Sequence, residues 1–463
     1  MDSYDLIVIG SGPAGEKAAA LAAYFGRRVA VIEKDERPGG APVNRGGIPT
    51  KTLRETALYL TGFRRREVYG LGLQITRDLA LDRLRKRAAE VSAQMAEQVR
   101  RNLESQGIDL IRGTAALAGD GMVVIDGERR LSAQFILVAT GSHPFHPPGI
   151  DFDDPDVYDS DTILRMDTIP ASLVVIGGGP VGSEYASIFA ALGVEVTILD
   201  GADRLLGGMD REISAMALES FRSMGVDVLL ECPNAVIERR DGELVVETVT
   251  GDALRPEKVL FAAGRVGNTD GLGLEAAGVE LDERRRVVVD GHFRTTAPGI
   301  YAAGDVIGPP ALASVSAEQG RIAACHAFRV PFDLSLDWLP PSGVYSIPEV
   351  AMVGMTEQAA AEQGIDYEVG RAWFDHNARS HIVGTTDGMI KLVLAAEDRR
   401  LLGVHIIGEE AAELVHIGQA VMHANGPIDR FLHTTFNIPT RSEVYKYAAY
   451  NALQNLARRT HTN

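Results

Sequence analysis

Cysteine is nearly absent from this 463-residue chain, which holds only Cys232 and Cys325, about ninety positions apart and in different segments. With no CxxC pair and no Cys/His cluster, neither a disulfide framework nor a zinc site is expected, and no other metal centre is indicated. Both cysteines read as small buried apolar residues. Long apolar runs are also missing. No stretch approaches the ~20 residues a bilayer span needs, so membrane insertion is not expected. The first apolar run, Leu6 to Ile9, is too short for a secretory leader and continues into a glycine-rich turn. The expected location is therefore cytoplasmic. Positive charge is in deficit, with 46 basic against 63 acidic residues and a net charge of -17. That argues against nucleic acid or an anionic membrane as the main partner, because both require basic surface. What is present is ordinary for a soluble globular protein: 45% hydrophobic and 24% charged residues. The length suits two to four domains with sizeable cores.

Two segments share one design. Asp5-Leu6-Ile7-Val8-Ile9 is a short apolar run of the kind that forms a buried parallel strand. It enters Gly10-Ser11-Gly12-Pro13-Ala14-Gly15, then an alanine-rich helical stretch from Glu16 to Phe25, then a second apolar run, Val29 to Ile32, ending in Glu33. Strand, GxGxxG turn, helix, strand and acidic residue together form a dinucleotide-binding unit. Gly10, Gly12 and Gly15 permit a tight turn and let a pyrophosphate approach the helix N-terminus, and Glu33 suits a ribose hydroxyl. The unit recurs: Ser172 to Ile176 runs into Gly177-Gly178-Gly179-Pro180-Val181-Gly182, a helical stretch to Leu192, and a strand Glu195 to Leu199 ending in Asp200. The repeat lies 167 residues after the first, so the chain is built for two dinucleotides. Asp200 favours the free 2′-hydroxyl of NAD(H) over a 2′-phosphate. Arg204 is the one nearby cation that leaves NADP(H) open. The glycines Gly177, Gly179 and Gly182 are assigned to the NAD side. Two further runs, Phe135 to Val138 and Lys258 to Phe261, are strands ending in small residues, Ala139-Thr140-Gly141 and Ala262-Ala263-Gly264. Small residues there suit close approach of backbone to ligand, Thr140 and Gly141 on the first dinucleotide and Gly264 on the second. A third, Gly299 to Asp305, resembles the segment of FAD-binding proteins whose aspartate, here Asp305, bonds the ribityl or pyrophosphate part of the flavin.

Over essentially its full length the chain resembles the pyridine nucleotide–disulfide oxidoreductases, the group of lipoamide dehydrogenase and glutathione reductase. The resemblance rests on Gly39-Gly40, Gly46-Gly47-Ile48-Pro49-Thr50-Lys51-Thr52-Leu53-Arg54-Glu55, Gly308 to Ala313, Glu318 to Arg321, Tyr345-Ser346-Ile347-Pro348-Glu349, Leu402 to Gly408 and Thr435-Phe436-Asn437-Ile438-Pro439-Thr440. The Phe-Asn-x-Pro-Thr and Thr-Leu-Arg-Glu runs are most similar to the soluble, flavin-dependent pyridine nucleotide transhydrogenases. The resemblance implies an α/β fold with two Rossmann-like domains and a C-terminal α+β dimerisation domain. It places an FAD domain at 1–149, an NAD(P) domain at 150–268, a return to the FAD domain at 269–335 and the dimer-interface domain at 336–463. It also implies FAD and a nicotinamide nucleotide as cofactors, a homodimer, and Ala313 beside the flavin. Independently, Val350 to Val353 and Met389 to Leu394 read as strands and Ala411 to Ala424 as an amphipathic helix.

The family's disulfide reductases carry two cysteines separated by four residues, and a histidine that serves as their base. The matching positions here hold Pro42, Gly47 and Ile438. Thiol–disulfide exchange needs a thiolate nucleophile, so disulfide reductase activity is not expected. Pro42 is tolerable in the first turn of a helix, and Gly46-Gly47 in that same helix would cost about 1 kcal/mol each relative to alanine. By the resemblance Lys51 sits near flavin N5 with Glu184 as its partner, a cation placed to stabilise charge gained by the flavin. Arg45 and Arg441 are either solvated or make the former disulfide pocket cationic across a dimer. Three readings follow. The first is a transhydrogenase passing hydride between nicotinamide nucleotides through FAD. The second is an NAD(P)H oxidase or quinone-type diaphorase with a small acceptor still unidentified. The third is a flavoprotein that senses NAD(H) or hands electrons on.

Overall fold

The computed structural model describes residues 2–63, 68, 70, 77–233, 235–249, 251–331 and 339–462. The expected domain border between 335 and 336 lies outside the described residues. The chain forms two compact units: Met1–Thr52, Arg85–Phe145 and Gly264–Leu336 in one, and Leu53–Leu84, His146–Ala263 and Asp337–Asn463 in the other. Among the described residues no helix is long and apolar enough to cross a membrane.

The first unit is built on a sheet whose strands run, edge to edge, Asp109–Arg112, Val29–Glu33, Asp2–Ile9, Arg129–Val138, Met122–Ile125 and Ala115–Leu117. Ile300–Ala302 adds a further parallel strand beside Arg129–Val138. The central three are parallel, with Leu6 opposite Val29 and Phe135. Every residue of Val29–Glu33 is buried, as expected of a strand covered on both faces. The alanine-rich helix Pro13–Tyr24 packs so closely on Ala313–Phe328 that a Cβ on Gly320 would collide with the Ala14 backbone.

The second unit holds a parallel sheet in the order Asp227–Leu229, Glu195–Leu199, Ser172–Ile176, Lys258–Phe261, Val157–Asp159. A three-stranded antiparallel sheet, Val236–Arg240, Glu243–Glu247 and Ala253–Leu254, adjoins it in the chain. An antiparallel sheet of five strands runs Ser342–Val344, Val350–Gly354, Leu401–Ile407, Met389–Ala395, Tyr367–Trp373. The amphipathic helix Ala411–His423 buries Leu414, Val415 and Met422 against Val404 and Ile406 of that sheet. The architecture is thus α/β with two Rossmann-like sheets and a C-terminal α+β portion.

One local expectation is corrected. Pro42 lies in a short helix, Gly40–Asn44, but Gly46 and Gly47 do not continue it. Arg45 leaves helical geometry at φ -137°, ψ -91°, and the chain re-enters helix only at Ile48–Thr61. The helix penalty for glycine is therefore not incurred at either position. A Cβ on Gly47 would sit 2.5 Å from the Pro42 carbonyl oxygen, so the break folds this residue back against the short helix.

Candidate functional site

In the first unit the strand Asp2–Ile9 ends at Gly10, whose φ of 104° and whose missing Cβ, which would collide with the Ala139 carbonyl oxygen, both require glycine. A Cβ on Gly15 would collide with the Gly10 carbonyl, so strand and helix meet without a side chain between them. The helix Pro13–Tyr24 begins from Gly12 with no side-chain cap. Its first-turn N–H groups thus face no protein side-chain acceptor, the arrangement that takes a pyrophosphate. Glu33 is buried: Oε2 accepts from the Ser11 N–H at 3.0 Å and the Ser11 hydroxyl at 2.5 Å, and Oε1 accepts from the Asp35 N–H at 2.9 Å. The acid is therefore oriented by the turn it serves. These features fit a dinucleotide such as FAD.

The other residues expected on the flavin cluster at the ends of neighbouring strands in the same unit. The Thr140 hydroxyl donates to the Asn268 carbonyl at 2.7 Å, and Gly141 accepts from the Asn268 N–H at 2.9 Å. Asp305 opens a short 3-10 turn and accepts from the Ser142 hydroxyl at 2.8 Å. Arg265 Nε donates to that same hydroxyl at 2.9 Å. Gln319, to which the Glu318 to Arg321 run by itself gives no role, accepts from the Gly304 N–H at 2.8 Å and holds the turn before Asp305. Ala313 is the first residue of the helix Ala313–Phe328, which also starts without a side-chain cap.

The second unit repeats the construction. Gly177 has φ 110°, and its Cβ would lie 2.7 Å from the Ala262 carbonyl oxygen. The helix Pro180–Ala191 starts from Gly179, again with no side-chain cap, and a Cβ on Gly182 would collide with the Gly177 carbonyl. Asp200, just past the strand Glu195–Leu199, accepts from the Gly178 N–H and from the Ala202 N–H, the latter at 2.8 Å. Arg204 turns onto its own loop, donating to the Gly207 carbonyl at 2.7 Å. The donor set fits NAD(H). Gly264, expected on the nicotinamide side, falls in the first unit, where its carbonyl accepts from the Phe145 N–H at 3.0 Å.

Glu184 is buried on the helix Pro180–Ala191, and its Oε1 accepts from the Tyr345 N–H at 2.9 Å. Lys51 is half-buried on Ile48–Thr61. Three residues further along that helix is Arg54, 6% exposed, with Nη2 3.2 Å from Glu349 and a close contact to Glu55. Burial pushes the Glu349 carboxyl up, against the opposing pull of Arg54. Burial likewise raises the Tyr345 hydroxyl. In the sequence Arg54 stands out only as part of the Thr-Leu-Arg-Glu run, which assigns it no role. Ile438 is 77% exposed. Arg45 pairs with Asp35 at 2.8 Å. Arg441 is not solvated, as one alternative had it: it is 2% exposed, 2.9 Å from Glu410 and 3.4 Å from Glu409. Cys232 and Cys325 are both buried, and burial raises the Cys325 thiol.

Residues 4–320 match the model of the pyridine nucleotide-disulphide oxidoreductase family, and residues 340–449 match the model of that family's dimerisation domain. The chain is similar to a soluble pyridine nucleotide transhydrogenase of Mycobacterium bovis, 41% identical over 461 residues and 98% of both chains. A protein of the same description from Chromohalobacter salexigens is 40% identical, covering 97% of this chain and 98% of its own. Among solved structures, the Cu(II) complex of the HOCl-induced flavoprotein disulfide reductase RclA of Escherichia coli superposes with a TM-score of 0.88 at 30% identity, over 97% of this chain and 99% of that one. LpdA of Mycobacterium tuberculosis gives 0.89 at 27% identity, with the same coverage.

Proposed function

Since this chain belongs to the pyridine nucleotide-disulphide oxidoreductase family, we propose that it is an FAD-dependent, cytoplasmic homodimer that passes hydride from one nicotinamide nucleotide to another. The observation that carries this reading is the 39–41% identity, along nearly the whole chain, to proteins described as soluble pyridine nucleotide transhydrogenases. The FAD domain is assigned to 1–149 and 269–335, the NAD(P) domain to 150–268 and the dimer-interface domain to 336–463.

Bound FAD would supply the two-electron chemistry that hydride transfer between nicotinamides requires. The chain's own residues do the rest. The glycine turns at Gly10 and Gly177 bind the two pyrophosphates, and Glu33 and Asp200 orient the riboses. Lys51 would supply positive charge beside the flavin, and Glu184 is assigned to the nicotinamide site. Pro42 and Gly47 stand where a reductase would need thiols, and the chain's only cysteines, Cys232 and Cys325, are buried. Thiol–disulfide exchange needs an accessible thiolate, both thiols are buried and burial raises that of Cys325, so the proposed activity does not include disulfide reduction, although RclA carries that description.

A second reading has its own support. Asp200, which accepts from the Ala202 N–H, is assigned to the ribose 2′-hydroxyl, and Arg204 is turned onto Gly207, which together disfavour NADPH. An NADH oxidase or diaphorase needs only one nucleotide. The deciding experiment mixes FAD-loaded protein with NADPH and thio-NAD+ without oxygen. Rapid reduction of the thio-nucleotide is the expected result. If it stays oxidised while NADH bleaches the flavin and air restores its colour, the transhydrogenase reading is overturned in favour of the oxidase.

A further inference from the structure

The segment Tyr345 to Glu349 is held on both sides by side chains. On one side, the Tyr345 N–H donates to Glu184 Oε1 at 2.9 Å. On the other, Arg54 Nε donates to the Ser346 carbonyl at 3.1 Å, and Arg54 Nη2 lies 3.2 Å from Glu349 Oε1. The Ser346 carbonyl and the Ile347 N–H belong to one peptide group. That N–H donates to Ser187 Oγ at 3.1 Å, and the Ser187 hydroxyl donates to the Glu184 carbonyl at 2.9 Å. A single peptide plane thus receives a charged donor from Arg54 and passes a hydrogen bond on to the helical turn that carries Glu184. Each bond in such a chain polarises the next, and a buried arginine at its head both fixes the plane and strengthens the bonds beyond it. The segment is anchored elsewhere too, by Ser346 Oγ donating to the Pro348 carbonyl at 2.6 Å and by the Gly408 N–H donating to the Glu349 carbonyl at 2.9 Å. It therefore has little slack through which Arg54 could move without moving Glu184.

We propose that Arg54 is a positioning residue for the hydride-transfer site: through the Ser346–Ile347 peptide, Ser187 and the Tyr345 N–H, it sets the place and orientation of the Glu184 carboxylate. The proposal rests on the assignment of Glu184 to the nicotinamide site. Glu349 serves as the counter-charge that makes a buried arginine tolerable there, since a guanidinium without a partner would be far more costly to bury. Lysine at this position keeps the charge but not the planar fork that reaches a carbonyl and a carboxylate together.

The test uses the full-length, FAD-loaded protein with Arg54→Met, Arg54→Lys, Glu184→Gln and the Arg54→Met/Glu184→Gln double variant. Stopped-flow bleaching by NADH under anaerobic conditions gives a limiting rate and a Kd for each, and the flavin difference spectrum with saturating NAD+ gives a readout independent of turnover. Arg54→Met is expected to slow the limiting rate by about 10- to 100-fold, the range for a displaced reacting group. Its Kd for NADH should stay within about twofold, its spectrum should match that of Glu184→Gln, and Arg54→Lys should recover part of the rate. The double variant should be no slower than Glu184→Gln alone, because the two side chains act as one unit. Effects that multiply in the double variant, or an Arg54→Met protein with the wild-type rate and spectrum, overturn the proposal. A wild-type rate for Glu184→Gln overturns instead the assignment of Glu184, a separate outcome. If Arg54→Met does not retain FAD, Ser187→Ala interrupts the same chain at its other end and is judged by the same rate and spectrum.

Discussion

Gly46 and Gly47 are adjacent, yet their surroundings make opposite demands. A Cβ on Gly46 would meet no atom within 4 Å, whereas one on Gly47 would lie 2.5 Å from the Pro42 carbonyl oxygen and 2.7 Å from its Cα. Both of those atoms are backbone, so relief requires the short helix Gly40–Asn44 to shift. Gly47→Ala is expected to cost about 1–3 kcal/mol, as overpacking does. Gly46→Ala is expected to change stability by less than about 0.5 kcal/mol, as open surface sites do. Thermal melts of the two FAD-loaded variants check this, and equal losses would remove the crowding argument. At this scale the sequence displayed two glycines in a helical context but not which of them had room. The distinction comes from Arg45 leaving helical geometry, a backbone event with no signature in residue type. Asp200 and Glu33 were more legible, because an acidic residue ending the second strand of a glycine-turn unit has a fixed topological place.

The strand Met389–Ala395 is buried almost throughout, and in its middle lies Lys391. Its Nζ is 2.9 Å from Asp210, 2.9 Å from Glu212 and 2.5 Å from Glu357, while Arg371 on the adjoining strand reaches Glu212 at 2.7 Å. Burial alone would raise the Asp210 and Glu212 carboxyls, but hydrogen bonds from Lys391 to Asp210, and from Arg371 and Lys391 to Glu212, hold both below the ordinary range. The unfolded chain therefore takes up these protons at higher pH than the folded one. Their contribution to stability is complete above the unfolded carboxylate value of about 4 and disappears as pH falls through the depressed folded values. Lys391 has the opposite sign. Burial would lower it, yet its carboxylate partners raise it, so its contribution holds below about 10.4 and is lost only as pH rises through the raised value. Lys391→Met, which strands buried Asp210 without its cation, is expected to cost about 3–5 kcal/mol near neutrality. The same variant should show a shallower fall in melting temperature under acid conditions, and an unchanged acid slope would mean that other carboxylates are responsible. Both Rossmann strands and the C-terminal strands were readable from short apolar runs, since burial of a parallel or central strand imposes that pattern locally. The ion cluster and the Arg54 network were not. Lys391 meets Asp210 across 181 positions and Arg54 meets Ser346 across 292, and no local periodicity encodes such pairings.

At the scale of the whole molecule, the match of residues 340–449 to the family's dimerisation domain gives a use to the exposed apolar side chains of that region and of the helix Val444–Thr462 that continues beyond it. Tyr447 and Tyr450, each 54% exposed, sit three residues apart on the helix Val444–Thr462 and so share a face. Ile382 is 56% exposed and Ile438 77%. Two exposed tyrosines on one helix face supply apolar area for such an interface. With a net charge of -17, two copies must also overcome like-charge repulsion, which an interface of aromatic and aliphatic groups does by burying area rather than by pairing charges. The expected species in sedimentation equilibrium therefore has twice the 49.7 kDa of one chain. Tyr447→Glu combined with Tyr450→Glu should shift it toward a single chain and lower transhydrogenation in proportion to the dimer lost. Tyr24→Glu places the same charge at a residue that is 82% exposed in the first unit, and it should leave both properties unchanged. A wild-type protein that sediments as a single chain at micromolar concentration, with full activity, would separate catalysis from assembly. In that case the exposed tyrosines would need another partner.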